Sequence, residues 1–209
     1  MDLAKSLDFT SFAVVEMVYS PVVKDYLYNL QALDRIRGVD YPEITRLILD
    51  SLKYLDSLNV TAFASDPAMS DGPHLCMDAS GLGGPIRDYL KATKVFTGLK
   101  KIYPVVFTGG EAARYDKVTR NYNISKSKII ANFLSLMQHR RFSYAADLKA
   151  LPLLEAEIST FKYHLTPSGH TGFDAESGAH DDLICSVCVP LIIGELKYRR
   201  GKVTQQVPM

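Results

Sequence analysis

Gly178-Ala179-His180-Asp181-Asp182-Leu183-Ile184 sets two adjacent carboxylates at the mouth of an apolar run that continues to Leu196. The run is too uniformly apolar for a surface helix, which would keep a polar face. It reads as a mostly buried helix with acids in its first turn. Carboxylates suit that place, because the free amide groups and the helix dipole both favour negative charge there. Taken alone, Asp181 and Asp182 are explained equally well as caps. Asp78 tips the balance toward chemistry. It closes Leu75-Cys76-Met77, a short apolar strand, and precedes the turn Ser80-Gly81-Leu82-Gly83-Gly84. An acid at the carboxyl end of a strand, facing acids at the start of a helix, offers the oxygen ligands that hard divalent cations prefer.

At 209 residues the chain is expected to form one domain over residues 1–209. A chain of this size buries roughly 70% of its unfolded surface and needs no staples. Its 47% apolar and 22% charged residues are ordinary for a soluble globular protein. A net charge of +1 gives no global pull toward nucleic acid, so any such contact must rest on local patches. Three cysteines, Cys76, Cys185 and Cys188, lie in apolar segments, a pattern that fits a reducing compartment. Cys185 and Cys188 form a C-x-x-C, but no second ligand pair has zinc spacing, so they read as core packing. No amino-terminal segment has signal-peptide form, and the apolar run over 183–193 is too short to span a membrane.

Taken in order, residues 11–19 read as a strand and 22–33 as a second, together a hairpin. Residues 30–37 fit a helix or a ragged strand end equally well. Tyr41-Pro42-Glu43 opens a helix to about Leu58, with Ile44, Leu47, Ile48, Leu52 and Leu55 at helical spacing. Residues 59–73 read as a loop, 74–77 as a buried strand, 85–94 as a helix and 102–107 as another buried strand. Strand, helix, strand in that order predicts a parallel pair with a crossover. Residues 111–123 read as a charged loop, 124–138 and 148–161 as helices, 166–169 as a turn, and 199 onward as a basic tail. The chain is therefore expected to be a mixed α/β domain.

Several of these segments resemble one family. Asp2-Leu3-Ala4 with Asp8-Phe9-Thr10-Ser11-Phe12-Ala13-Val14-Val15, then MDASGLGGPIRDYL (77–90), then GAHDDL (178–183), are similar to the nuclease domain of phage terminase large subunits. Tyr41-Pro42-Glu43-Ile44, Lys126 with the helix after it, and Leu153-Leu154-Glu155-Ala156-Glu157-Ile158 also sit where members of that family carry similar segments, so the resemblance covers nearly the whole chain. It implies a ribonuclease-H-like α/β fold: a mixed sheet, with an antiparallel hairpin followed by parallel strands, flanked by helices. It implies a metal-dependent endonuclease that cuts concatemeric viral DNA at packaging. Residue by residue, it gives Asp2, Asp78, Asp181 and Asp182 the catalytic and metal-binding roles, and Asp8 an auxiliary one. Two Mg²⁺ or Mn²⁺ ions are the implied cofactors. Double-stranded DNA, the terminase ATPase domain, the small subunit and the portal are the implied partners, with no membrane. The implied location is the cytoplasm of a bacterial host.

His180 reads equally as a support for the acid pair or as a structural residue. His74, His139, His164 and His170 have no ligand spacing. Arg114, Lys117, Arg120, Lys126 and Lys128 form a basic group suited to DNA phosphates. Lys197, Arg199, Arg200 and Lys202 form a second, which reads as solvated surface. Asp174 and Glu176 read as loop residues. The Gly81–Gly84 turn is expected to let backbone pass close to the metal site.

Two features depart from the family. An apolar strand precedes the first acid in its members, whereas Asp2 follows Met1 here, so Met1 is expected to be internal to a longer reading frame, or the chain to be a natural gene fragment. No G-x-x-x-x-G-K-[ST] occurs, so the ATPase half is absent. The alternatives are a non-catalytic terminase fragment or docking module, and another ribonuclease-H-like nuclease such as a junction resolvase. A dinucleotide-binding oxidoreductase fails for want of G-x-G-x-x-G spacing and an acidic ribose partner.

Overall fold

Two long strands open the fold. The computed structural model describes residues 9–62, 73–80, 83–92, 102–109, 113–165, 171–175 and 181–199. Strands β1 (Phe9–Ser20) and β2 (Asp25–Arg37) pair antiparallel across a tight turn in which Lys24 takes a positive φ of 57°. The register slips between Val14, opposite Ala32, and Val15, opposite Leu30, leaving Gln31 as an extra residue. Such a bulge bends a strand and shifts which face its side chains meet. Tyr26, Tyr28 and Leu30 are buried before it and Leu33 after it, so the inward set passes from even to odd positions. That parity change is why residues 30–37 read ambiguously in the sequence; they continue the strand.

Helix α1 (Tyr41–Ala62) follows, longer than its spacing predicted, and buries Ile44, Ile48 and Leu52 along one face. Strand β3 (Leu75–Asp78), helix α2 (Gly83–Ala92) and strand β4 (Ile102–Thr108) form the predicted crossover, with β3 and β4 parallel. Leu75 and Met77 of β3 join the α1 face and Ile86 and Leu90 of α2 in one apolar cluster.

The charged stretch after β4 is not a loop throughout. It holds β5 (Ala113–Tyr115), a turn, and the start of β6 (Tyr122–Ser125), which pairs antiparallel with β5 and parallel with β4. Helix α3 (Lys126–Gln138) follows at once, its N-cap Ser125 accepting a hydrogen bond from the Lys128 amide at 3.2 Å. Strand β7 (Phe142–Tyr144) adds to β2, giving one sheet in the order β1-β2-β7 and a second in the order β3-β4-β6-β5. After α4 (Leu151–Thr160), β8 (Phe161–Leu165) and β9 (Thr171–Ala175) form a separate hairpin. The sequence showed only its turn, which lies outside the described residues.

Helix α5 (Asp182–Gly194) binds these parts together. It packs against β1, β2, β3, α3 and α4. Every residue from Leu183 to Gly194 except Pro190 is buried, and Cys185 and Cys188 belong to this core face. Leu183, Val187 and Leu191 are wholly inaccessible, and burying each is worth about 1.5–3 kcal/mol. A helix touching both sheets has no polar side to offer, which explains the uniform apolar run. At its far end, beyond which a π-helical turn runs over Glu195–Arg199, a Cβ on Gly194 would lie 2.7 Å from the Tyr28 ring. Glycine is what allows that crossing. Among the described residues, no helix is long and apolar enough to cross a membrane.

Candidate functional site

Asp78 ends β3, and its side chain is fixed there by local hydrogen bonds. Its Oδ1 accepts from the Ser80 amide at 2.7 Å, while Ser80 Oγ accepts from the Phe107 amide at 3.1 Å. Asp78 is 8% exposed. Because β3, β4 and β6 are parallel, Asp78, Thr108 and Ser125 end their strands on the same edge of the sheet. In open α/β sheets that carboxyl edge is where ligands gather. At Gly84, in the first turn of α2, a Cβ would meet nothing within 4 Å. Gly81 and Leu82 lie outside the described residues.

Asp181 is the N-cap residue of α5, yet its side chain makes no capping hydrogen bond. Instead its Oδ2 accepts from Lys126 Nζ, at the first turn of α3. The capping explanation of the acid pair therefore fails for Asp181. Asp182 follows in the first turn, half-buried, and its carbonyl accepts from Ser11 Oγ of β1 at 2.5 Å. That bond ties the first turn of α5 to the first sheet.

The cap comes from elsewhere. Glu157 of α4 reaches the start of α5, where its Oε2 accepts from the Ile184 amide at 3.0 Å. Its Oε1 lies 3.6 Å from Arg35 Nη1. Glu157 is 6% exposed, and the Leu183 amide also supports its charged form. Burial pushes its carboxyl up to about 7; the Ile184 amide opposes this, and the neighbouring charge of Asp182 adds to it. The sequence held one signal for this residue. Glu157 stands three places after buried Leu154, on the core face of an otherwise amphipathic helix.

The direction of this shift sets a pH dependence. An unfolded glutamate releases its proton near 4.5, whereas native Glu157 keeps it to about 7. The native state therefore binds more protons across that interval, and stability falls as pH rises through it. In EDTA, wild type should lose up to about 3 kcal/mol between these limits relative to Glu157→Gln, measured by urea denaturation. Parallel pH curves for the two proteins would contradict the shift.

Of the expected basic group, Arg114, Lys117, Arg120 and Lys128 are exposed. Lys117 and Arg120 lie in the turn before β6, while Lys126 and Lys128 follow β6. Asp116 shapes that turn by accepting from the Val118 and Thr119 amides at 2.7 and 3.2 Å, bonds that hold its carboxyl below the usual range. Lys197 lies over the rings of Tyr103, Tyr115 and Tyr122, 5.4–5.7 Å from their centroids. His74 stacks on Tyr103 and lies 3.2 Å from the Tyr198 hydroxyl, and His139 is bonded to the Ser135 carbonyl within α3, so both have structural roles.

The structure thus joins Asp181 to Lys126 and Asp182 to Ser11, and packs α5 against the strand that Asp78 ends. Asp2, Asp8 and His180 lie outside the described residues. Among the described residues no three His, Cys, Asp or Glu side chains group as a metal site. The donor chemistry of the three described aspartates suits a hard divalent ion, with carboxylates held at a strand end and a helix start.

No protein-family model matches the chain, and no curated protein does. Among solved structures it is similar to the large terminase nuclease from thermophilic phage G20c, at 18% identity over 94% of this chain and 79% of that one, with a TM-score of 0.50. It is also similar to the form of that nuclease with bound magnesium, at 17% identity over 88% and 82%, with a TM-score of 0.46. The large terminase nuclease domain of Thermus phage P74-26 matches at 15% identity over 91% and 83%, with a TM-score of 0.45. The chain has the fold of the phage large terminase nuclease, the ribonuclease-H-like mixed α/β class that its acid motifs implied.

Proposed function

We propose that this chain is the metal-dependent endodeoxyribonuclease domain of a viral DNA-packaging terminase, cutting concatemeric double-stranded DNA. The observation that carries this reading is the unused capping role of Asp181. A helix start with a carboxylate beside it, but capped from another helix, keeps that carboxylate for a cation. The fold shared with a terminase nuclease supports the same reading.

In this reading Asp78, Asp181 and Asp182, with Asp2 and auxiliary Asp8, hold two Mg²⁺ or Mn²⁺ ions, and His180 supports the pair. Bound ions of this kind supply an activated water and charge stabilisation at the leaving oxygen. The residues of the chain do the rest. The Ser80 amide holds the Asp78 carboxylate to the end of β3, and Glu157 keeps the Ile184 amide of α5 occupied. Lys126 balances the charge of Asp181 while no other cation is bound. Arg114, Lys117, Arg120, Lys126 and Lys128 engage DNA phosphates, so binding weakens steeply as salt rises. The ATPase domain, small subunit and portal are its partners, in the cytoplasm of a bacterial host.

The test is nicking of supercoiled plasmid in Mn²⁺. Wild type should cut, and both Asp78→Ala and Asp182→Ala should abolish cutting while keeping the wild-type circular dichroism spectrum. Cutting that survives both substitutions, or a well-folded wild type that never cuts, would overturn the reading.

A further inference from the structure

The start of α5 is satisfied in an unusual way. A helix beginning with Asp normally turns that side chain onto its own second or third amide. Here the Ile184 amide is served by Glu157 of α4, and the N-cap Asp181 makes no such bond. The first intrahelical bond, from the Cys185 amide to the Asp181 carbonyl at 3.0 Å, is intact, so the helix starts normally. Only the source of the cap has changed. Glu157 is itself held, 6% exposed and 3.6 Å from Arg35 of β2.

We propose that Glu157 is a positioning residue for the acid pair: by capping α5 from α4, it keeps Asp181 turned away from its own helix and available to a cation. The inference rests on the metal-dependent reading above and adds a residue to it. It follows from competition. Free amides at a helix start recruit the nearest carboxylate, and without Glu157 that carboxylate is the one on Asp181. A cation would then have to displace an N-cap bond. The ammonium of Lys126 already on Asp181 shows that this carboxylate accepts a cation when Glu157 caps.

The test uses the full chain and Mn²⁺ alone, with free Mn²⁺ read by electron paramagnetic resonance and no DNA present. Glu157→Asp keeps the charge but is one methylene too short to reach the amides. Glu157→Gln keeps an oxygen at full reach and loses the charge. Glu157→Asp should weaken Mn²⁺ binding roughly fivefold or more, the factor a typical N-cap bond represents. Glu157→Gln should remain within about threefold of wild type by the same argument, because its amide oxygen still caps. Unchanged binding in Glu157→Asp overturns the proposal. So does equal loss in Glu157→Gln, which would make Glu157 a charge or a ligand instead of a cap. Should Glu157→Asp not fold, hydrogen exchange in Glu157→Gln decides. Wild-type protection at Ile184 with retained affinity supports the role, and lost protection with retained affinity overturns it. A wild-type chain that takes up no Mn²⁺ overturns the nuclease reading and this inference together.

Discussion

Arg141→Ala should lower the stability of the fold by about 3–5 kcal/mol, read as a shift in the urea midpoint. Arg141 is 6% exposed and lies one residue before β7. Its Nε donates to the Tyr26 carbonyl at 2.9 Å, and its Nη1 to Glu195 Oε2 at 3.1 Å. Its Nη2 donates to Glu195 Oε1 at 2.6 Å and to Asp25 Oδ1 at 3.0 Å. The Tyr28 hydroxyl donates to the same Glu195 carboxylate at 2.8 Å, and burial, reinforced by Glu195, pushes that hydroxyl above its usual range. Removing the guanidinium leaves a 9%-exposed carboxylate and a strand carbonyl without their cation. The large term is that orphaned charge, not the attraction itself. The double replacement Arg141→Met with Glu195→Leu should therefore recover most of the loss. A single-mutant loss below about 1 kcal/mol would show that water reaches Glu195.

Phe133→Ala should cost about 3–5 kcal/mol as well. Phe133 is 1% exposed in α3 and meets Phe142 of β7 edge to face, with ring centroids 5.2 Å apart. Its removal takes away transfer energy and leaves a cavity between two elements that cannot both move inward, since α3 also packs on α5. Leu134→Ala is the control. That side chain is 39% exposed, so its loss should stay within about 0.5 kcal/mol. Equal losses at 133 and 134 would mean that α3 repacks around the missing ring.

Much of the architecture was legible because the residues that make it are locally consistent. The spacing of Ile44, Ile48 and Leu52, and the apolar strand closed by Asp78, each announce one element and one face. The strands that escaped notice, β5 to β9, are three to five residues long, too short for alternation to register. Gln31 hid half of β2 by moving the inward positions from even to odd. At the site, the types and order of Asp78, Asp181 and Asp182 were readable, but the ion pair of Asp181 with Lys126 was not. Nor was the role of Glu157, because a cap donated from another helix leaves no trace in local spacing. Its one mark was a lone acid on an apolar face.

The bond from Ser11 to the Asp182 carbonyl joins positions 171 residues apart. Both sheets lean on a helix that is synthesised after every one of their strands, so neither can finish folding until it emerges from the ribosome. Contacts of such long sequence separation slow folding and prolong the exposure of greasy surface. Chains cut before residue 182 should therefore accumulate as insoluble aggregates, and expression at low temperature or with chaperones should favour the full-length protein.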